Sequence, residues 1–359
     1  MNETFKTRAM AWLRARLPID AAVDFAQHKQ VPAYHGSVWY YFGGISLFLF
    51  IVQVISGILL IMYYQPGVAT GYESVRFIVV HVKFGWLVRS VHTWSANLMI
   101  FSVFVHMFSV YFTKAYRKPR ELTWFTGLVL LGLCMGFGFS GYLLPWNTLA
   151  YFATKVGTAI SATTPFIGPT ILQILRGGSE VGAETLTRFF GLHVAVMPAI
   201  FTVMLGTHLM LVQIQGMHEP HEWEGAPESQ KKYMPFFPNF ILRDLLLWLI
   251  VLNVLAILAV MFPWEIGHKA DPGAAAPMGI KPEWYFLFMY QALKYFPGKI
   301  LGLDGDAVGV MLFGAAGLLW ALVPIWDSRL PRGSRNRIVT YIGIFVVIAI
   351  IVLTGIGLT

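Results

Sequence analysis

Four histidines occupy positions where a histidine is costly. His92, His106, His193 and His208 lie inside long uncharged stretches rich in Leu, Val, Phe and Met. An ionisable group at such a place is usually retained for function. The spacing narrows the chemistry. His92 and His106 are 14 residues apart, which on an α-helix leaves them about 40° apart in azimuth and about 21 Å apart along the axis. His193 and His208 are 15 apart, giving about 60° and about 22 Å. A single histidine of this kind can be a hydrogen-bonded packing residue, but two matched pairs ask for more. If the two helices run in the same direction, His92 faces His193 at one depth and His106 faces His208 at another. Two neutral imidazoles face to face are the axial ligand set of a six-coordinate haem. Two haems, one above the other, form a path for electrons.

Glycine supports this independently. Gly43 and Gly57 are 14 apart, and so are Gly127 and Gly141. A porphyrin is a broad plate, and a helix lying beside it must lack side chains there. These two stretches run opposite to those bearing the histidines. Gly57 and Gly141 are therefore expected at the outer haem, and Gly43 and Gly127 at the inner one. Arg89 lies one helical turn outward of His92, where it can pair with an outer propionate. Arg117 and Lys118 can do the same for the inner haem, or can simply anchor the topology.

The elements that position these residues are membrane helices. The chain has 359 residues, 57% of them hydrophobic and only 12% charged, against about 25% charged in soluble domains. Uncharged stretches cover 42–63, 94–113, 122–146, 189–212, 245–264, 307–325 and 338–358. A span needs roughly 20 apolar residues. The expected fold is all-α and polytopic: a four-helix bundle holding two haems, followed by three further transmembrane helices. The expected divisions are a surface amphipathic helix in 1–30, the bundle in 31–215, a polar linker in 216–239, and a three-helix unit in 240–359. Residues 4–17 alternate apolar Phe5, Met10, Trp12, Leu13 and Leu17 with Lys6, Arg8, Arg14 and Arg16, which suits a helix lying on the lipid surface.

Positive charge sets the orientation. With the N-terminus inside, the inner segments hold 16 of the 26 Lys and Arg, among them Lys114, Arg117, Lys118, Arg120, Arg243, Arg329, Arg332, Arg335 and Arg337. The net charge of +8 reflects this bias and carries no nucleic-acid signature. The single cysteine, Cys134, cannot hold an iron–sulfur cluster, and no Cys-x-x-Cys-His attaches a c-type haem. Cys134 reads as a small packed hydrophobe. Two long outer loops, 147–188 and 265–306, are of the kind that carries function.

The residues now quoted carry a family resemblance. Gly-Gly at 43–44, Arg-Ser-Val-His at 89–92, Arg-Lys-Pro-Arg-Glu-Leu-Thr-Trp at 117–124, Gly-Tyr-Leu-Leu-Pro-Trp at 141–146 and Pro-Glu-Trp-Tyr at 282–285, with the four histidines, resemble cytochrome b. The likeness is strongest to a fusion of cytochrome b6 with its subunit IV, and it covers essentially the whole chain. The 14 residues between His193 and His208 match the b6 branch.

This resemblance implies the cytochrome b subunit of a quinol–cytochrome c oxidoreductase in a bacterial inner membrane. Its cofactors would be two b haems and quinol or quinone. Its partners would be a Rieske iron–sulfur protein, a c-type cytochrome and a second copy of the complex. It implies quinol oxidation at an outer pocket, with Glu283 as base and Tyr285 and Tyr142 lining the site. It also implies quinone reduction at an inner pocket, with Arg243 and Asp244 delivering protons. A carboxylate on an apolar-flanked loop should have a raised pKa, as a base for a quinol proton requires. Two departures stand out. Tyr41 replaces the cysteine that attaches an extra haem in the b6 branch, and Gln213 stands where an inner-pocket histidine is usual. A dehydrogenase haem anchor would not need Pro-Glu-Trp-Tyr, and a haem-free proton transporter would need broken helices with midplane acids.

Overall fold

Inside a bilayer no water satisfies the backbone, so apolar runs of this length must close their hydrogen bonds within themselves as helices. The computed structural model describes residues 5–33, 38–220, 223, 225–328 and 337–359. The basic Arg329, Arg332 and Arg335 of the topology argument lie outside the described residues. The N-terminal basic segment forms α1 (Phe5–Arg14) and α2 (Ile19–His28), followed by the short strand β1 (Gln30–Pro32). One surface helix was expected in this region. Two form because Pro18 cannot donate to a continuing helix.

The bundle comprises α3 (Phe42–Ile61), α5 (Gly85–Phe112), α6 (Glu121–Leu143) and a long fourth helix. A lateral helix, α4 (Gly71–His81), connects α3 to α5. The loop after α6 folds into α7 (Thr148–Ala162) and α8 (Gly168–Arg176). The fourth bundle helix is α9 (Ala183–Gly191), a π-turn at Leu192–Val196, and α10 (Met197–Gln215). The π-turn has a local cause. Pro198 has no N–H for the carbonyl four residues back, and the Met197 amide bonds instead to Leu192, five back,.

Strand β2 (Tyr233–Pro235) pairs antiparallel with β1, so the polar linker folds back onto the N-terminal segment. Beyond it come α11 (Ile241–Met261), α12 (Trp284–Leu293), the two-residue strands β3 (Lys299–Ile300) and β4 (Leu303–Asp304), α13 (Gly305–Ala321), α14 (Val323–Asp327) and α15 (Arg337–Leu358). Asp304 caps α13 by accepting from the Asp306 and Ala307 amides,.

Among the described residues six helices are long and apolar enough to cross a membrane. The expected span at 307–325 is interrupted: α13 has 17 residues and ends one residue before α14. Pro324 deprives the Trp320 carbonyl of its helical partner. The bundle packs α3 on α5 and α6 on α10, with α11 lying against both α5 and α3. Its centre is a buried cluster of Ile45, Leu49, Met99, Ile100, Leu130, Cys134, Phe201 and Tyr285. Cys134 is a free, buried thiol inside it, as its sequence setting suggested. Outward faces carry exposed Ile55, Ile58, Val203, Leu246, Ile257 and Phe345, a surface suited to lipid.

The two outer loops are joined by backbone hydrogen bonds. The Thr148 amide donates to His268 at 2.9 Å, and the Ala270 amide donates to Trp146 at 3.0 Å. Asn147 and Lys269 form an isolated bridge. Helix α12 packs on α15 and α13, while Trp284 reaches Asn97 of α5 and Tyr285 reaches Gly138 of α6.

Candidate functional site

The histidines meet as their spacing predicts. His92 on α5 and His193 in the π-turn face each other with ring centroids 6.4 Å apart and planes at 73°. An iron bound at about 2 Å by each imidazole, with each ring centre about 1 Å further back, needs centroids about 6 Å apart. The gap therefore fits a single metal. His106 and His208 form the second pair, close enough to interact electrostatically. Among the described residues no group of three or more His, Cys, Asp and Glu could hold a metal ion. Two opposed imidazoles with no third ligating side chain beside them among the described residues suit a metal that brings its own equatorial ligands, as the iron of haem does.

Each expected glycine lies beside the expected histidine. A Cβ on Gly57 would stand 3.3 Å from His92 Cε1, and one on Gly141 only 2.5 Å from His193 Cε1. At the inner level Gly43 would meet His106 at 3.0 Å and Gly127 would meet His208 at 3.3 Å. The reason differs from the sequence expectation. The missing side chains make room for the imidazole rings themselves, as well as for any plate between them.

Arg89 is buried, and its guanidinium binds the main chain. It donates to the Trp264 carbonyl and, at 3.0 Å, to that of Glu265. It thereby fastens α5 to the loop after α11. Arg117 donates to Asp327 at 2.7 and 3.2 Å, joining the turn after α5 to α14. Lys118 is exposed. Lys114 is different. Its ammonium is buried without a hydrogen-bond partner among the described residues, over the Tyr111 ring at 5.1 Å. Burial pushes its pKa down to about 8, against the opposing field of Asp327. Sequence reasoning used Lys114 only for topology.

At the outer end Glu283 is the residue before α12, and its side chain does not cap that helix. Burial raises its pKa above the usual carboxylate range. Tyr285 is 6% exposed, with its hydroxyl against Gly138, where a Cβ would lie 2.5 Å away. Burial, with Glu283 and Tyr142 nearby, raises the Tyr285 pKa. Trp284 donates to the Asn97 side chain at 2.7 Å, securing the motif to α5. Glu283, Tyr285 and Tyr142 therefore lie close enough to interact electrostatically.

At the inner end the Asp244 carboxylate lies over Gly44, leaving no room there for a Cβ. Arg243 is exposed. Tyr41 stacks on Phe240 with centroids 5.5 Å apart, and Lys29 donates to Gln213. Sequence reasoning did not find the Gly44–Asp244 contact, because 200 positions separate the two; the Gly-Gly pair at 43–44 was its only signal.

Two family models match. Cytochrome b/b6/petB covers residues 27–216, and Cytochrome b(C-terminal)/b6/petD covers 269–359. The cytochrome b subunit of a cytochrome bc complex from Chlorobaculum thiosulfatiphilum is 48% identical over 344 residues, 96% of this chain and 79% of that one. This chain belongs to the cytochrome b/b6 family. Cytochrome b6 from Gracilaria tenuistipitata var. liui is 43% identical over 209 residues, 58% of this cytochrome b chain and 97% of that protein. A solved chain of a hyperthermophilic respiratory Complex III superposes with a TM-score of 0.86 at 30% identity, covering 97% of this chain and 91% of that chain. Proteins of the cytochrome b family bind haem.

Proposed function

We propose that this chain, the cytochrome b subunit of a bc or b6f-type quinol oxidoreductase complex, holds two b haems and works at two quinone pockets. His92 and His193 would hold the outer haem, and His106 and His208 the inner one. Gly57, Gly141, Gly43 and Gly127 keep the ligand rings in place. When bound, haem supplies one-electron relay sites at two membrane depths. The observation that carries this reading is the opposed His92–His193 pair at 6.4 Å, flanked on both sides by glycines whose missing Cβ leaves room for the rings.

In the outer pocket Glu283 accepts a proton from a quinol hydroxyl. Its partial burial keeps it basic enough to do so. Tyr285 and Tyr142 orient the ring and narrow the access of water. One electron leaves to a Rieske iron–sulfur partner, which passes it to a c-type cytochrome. The other crosses the membrane to a quinone at the inner pocket. There Asp244, with Arg243 near it, delivers protons taken from the inner side. Release outside and uptake inside couple the redox drop to a transmembrane potential. The N-terminus lies on the cytoplasmic side of a bacterial inner membrane, with α1 on the lipid surface and the complex dimeric. Arg89, Arg117 and Lys118 would supply positive charge toward the propionates at the two ends of α5.

The test is a redox titration of the purified complex followed in the visible spectrum. Two b-type absorption bands at separable potentials are expected. A His106→Leu variant should lose the inner band and keep the outer one. Retention of both bands by that variant overturns the ligand assignment.

A further inference from the structure

Three of the four cradle glycines are preceded by a hydroxyl residue: Ser56-Gly57, Thr126-Gly127 and Ser140-Gly141. Each hydroxyl touches the Nδ1 of the histidine that its glycine accommodates. Ser56 Oγ lies 2.9 Å from His92 Nδ1, Ser140 Oγ 3.1 Å from His193 Nδ1, and Thr126 Oγ1 2.9 Å from His208 Nδ1. The fourth glycine, Gly43, is preceded by Phe42. No hydrogen bond to the His106 ring is found among the described residues.

The direction of these bonds follows from proton bookkeeping. A hydroxyl has one hydrogen to give. Ser56 gives its hydrogen to the Val52 carbonyl at 2.6 Å, Ser140 to Gly136 at 2.8 Å, and Thr126 to Leu122 at 3.0 Å. With its hydrogen on that carbonyl, each oxygen offers lone pairs to the Nδ1 facing it, an arrangement that pairs with a protonated Nδ1. The main chain of Phe137 and of Thr123 also lies within hydrogen-bond reach of His193 and His208. Amides there are committed to the helix, so the carbonyls act as second acceptors and favour the same tautomer. With Nδ1 protonated, the Nε2 lone pair is the one free to face a metal.

We propose that Ser56, Ser140 and Thr126 are positioning residues that fix the tautomer and ring orientation of His92, His193 and His208, and that the missing fourth hydroxyl leaves His106 without such an anchor among the described residues. The two haem sites are therefore built differently. The outer one has both ligands anchored through Nδ1–H, and the inner one only His208. An acceptor at Nδ1–H makes an imidazole more electron-donating and favours the oxidised metal. The inference rests on the ligand reading above.

The experiment uses the complete complex, with spectroscopic redox titration and low-temperature electron paramagnetic resonance. Thr126→Val, which keeps the shape and removes the hydroxyl, should make the inner haem easier to reduce and leave the outer one unmoved. The reduced-to-oxidised ratio at fixed potential should rise a fewfold, at most about tenfold for one hydrogen bond, or about 59 mV for one electron. Thr126→Ser should restore the native value. Ser56→Ala and Ser140→Ala should shift only the outer haem in the same sense and alter its low-spin signal. Phe42→Ser, supplying the missing hydroxyl before Gly43, should shift the inner haem the opposite way. If Thr126→Val and Ser140→Ala bind both haems with unchanged potentials and signals, the positioning role is wrong while the ligands stand. If His208→Leu keeps both bands, the ligand assignment itself fails.

Discussion

Gly141 and His193 are in closer apposition than any other cradle pair: a Cβ on the glycine would lie 2.5 Å from the ring carbon, against 3.0 Å at Gly43 and 3.3 Å at Gly57 and Gly127. The ring sits in a π-turn that is itself held by α6, so it has little freedom to retreat. The order of these distances orders the consequences of adding a methyl group.

Gly141→Ala should therefore be the most damaging of the four alanine variants. Overpacking of this kind costs about 1–3 kcal/mol, here concentrated on the outer ligand. Reduced-minus-oxidised spectra should show loss of the outer band in Gly141→Ala, and full haem content in Gly57→Ala and Gly127→Ala. Equal haem content in all four variants would remove the steric argument.

Glu283 gives two pH dependences of opposite sign. Its pKa is raised in the folded protein, so its contribution to stability is present at low pH and lost as pH climbs through the raised value. Activity runs the other way, since a base must first lose its proton, and quinol oxidation should rise through the same window. Glu283→Gln should lower the rate by about 10²–10⁴-fold and flatten the acid limb of the profile while both haem bands persist. An unchanged profile in this variant would exclude Glu283 as the base.

Gly44 and Asp244 make a prediction for the inner pocket. An added Cβ on Gly44 would run into the Asp244 carboxylate and must displace it. Gly44→Ala and Asp244→Asn should both slow oxidation of the inner haem by quinone in flash or rapid-mixing kinetics. Reduction of the outer haem by quinol should continue at its native rate. Normal inner-haem kinetics in both variants would separate this carboxylate from proton delivery.

The Arg117–Asp327 pair is expected to hold the bundle to the later helices. The Asp327 side chain is fully buried and also accepts from Tyr116 at 3.0 Å. Removing the partner of a buried charge costs about 3–5 kcal/mol. Arg117 is 37% exposed and Tyr116 remains, so about 2 kcal/mol is a fairer expectation for Arg117→Ala. Thermal denaturation of the detergent-solubilised complex should show a lowered midpoint, and Arg117→Lys should recover only part of it.

Much of the bundle was legible because a bilayer leaves few choices. Twenty apolar residues must form a helix, and a helix has a fixed rise and turn. From these the pairing of His92 with His193 and the placing of Gly57 and Gly141 beside them follow by arithmetic. Cys134 was legible for the same reason, as a small residue on an inward face.

What the sequence could not determine depended on contacts between distant segments and on one local departure from the α-helix. The spacing of 15 between His193 and His208 implied a ring offset unlike that of the 14-residue pair on α5. His193 lies inside the π-turn at Leu192–Val196, so the first part of that interval is wound wider than an α-helix. The main-chain partners of Arg89 could not be read from sequence: they exist because α11 ends beside it and presents the Trp264 and Glu265 carbonyls. The single span expected at 307–325 became two helices because Pro324 removes one bond from the ladder. Helical periodicity is local and can be read from one strand of text. Side-chain partners across 200 positions, such as Gly44 and Asp244, exist only once the packed bundle brings them together.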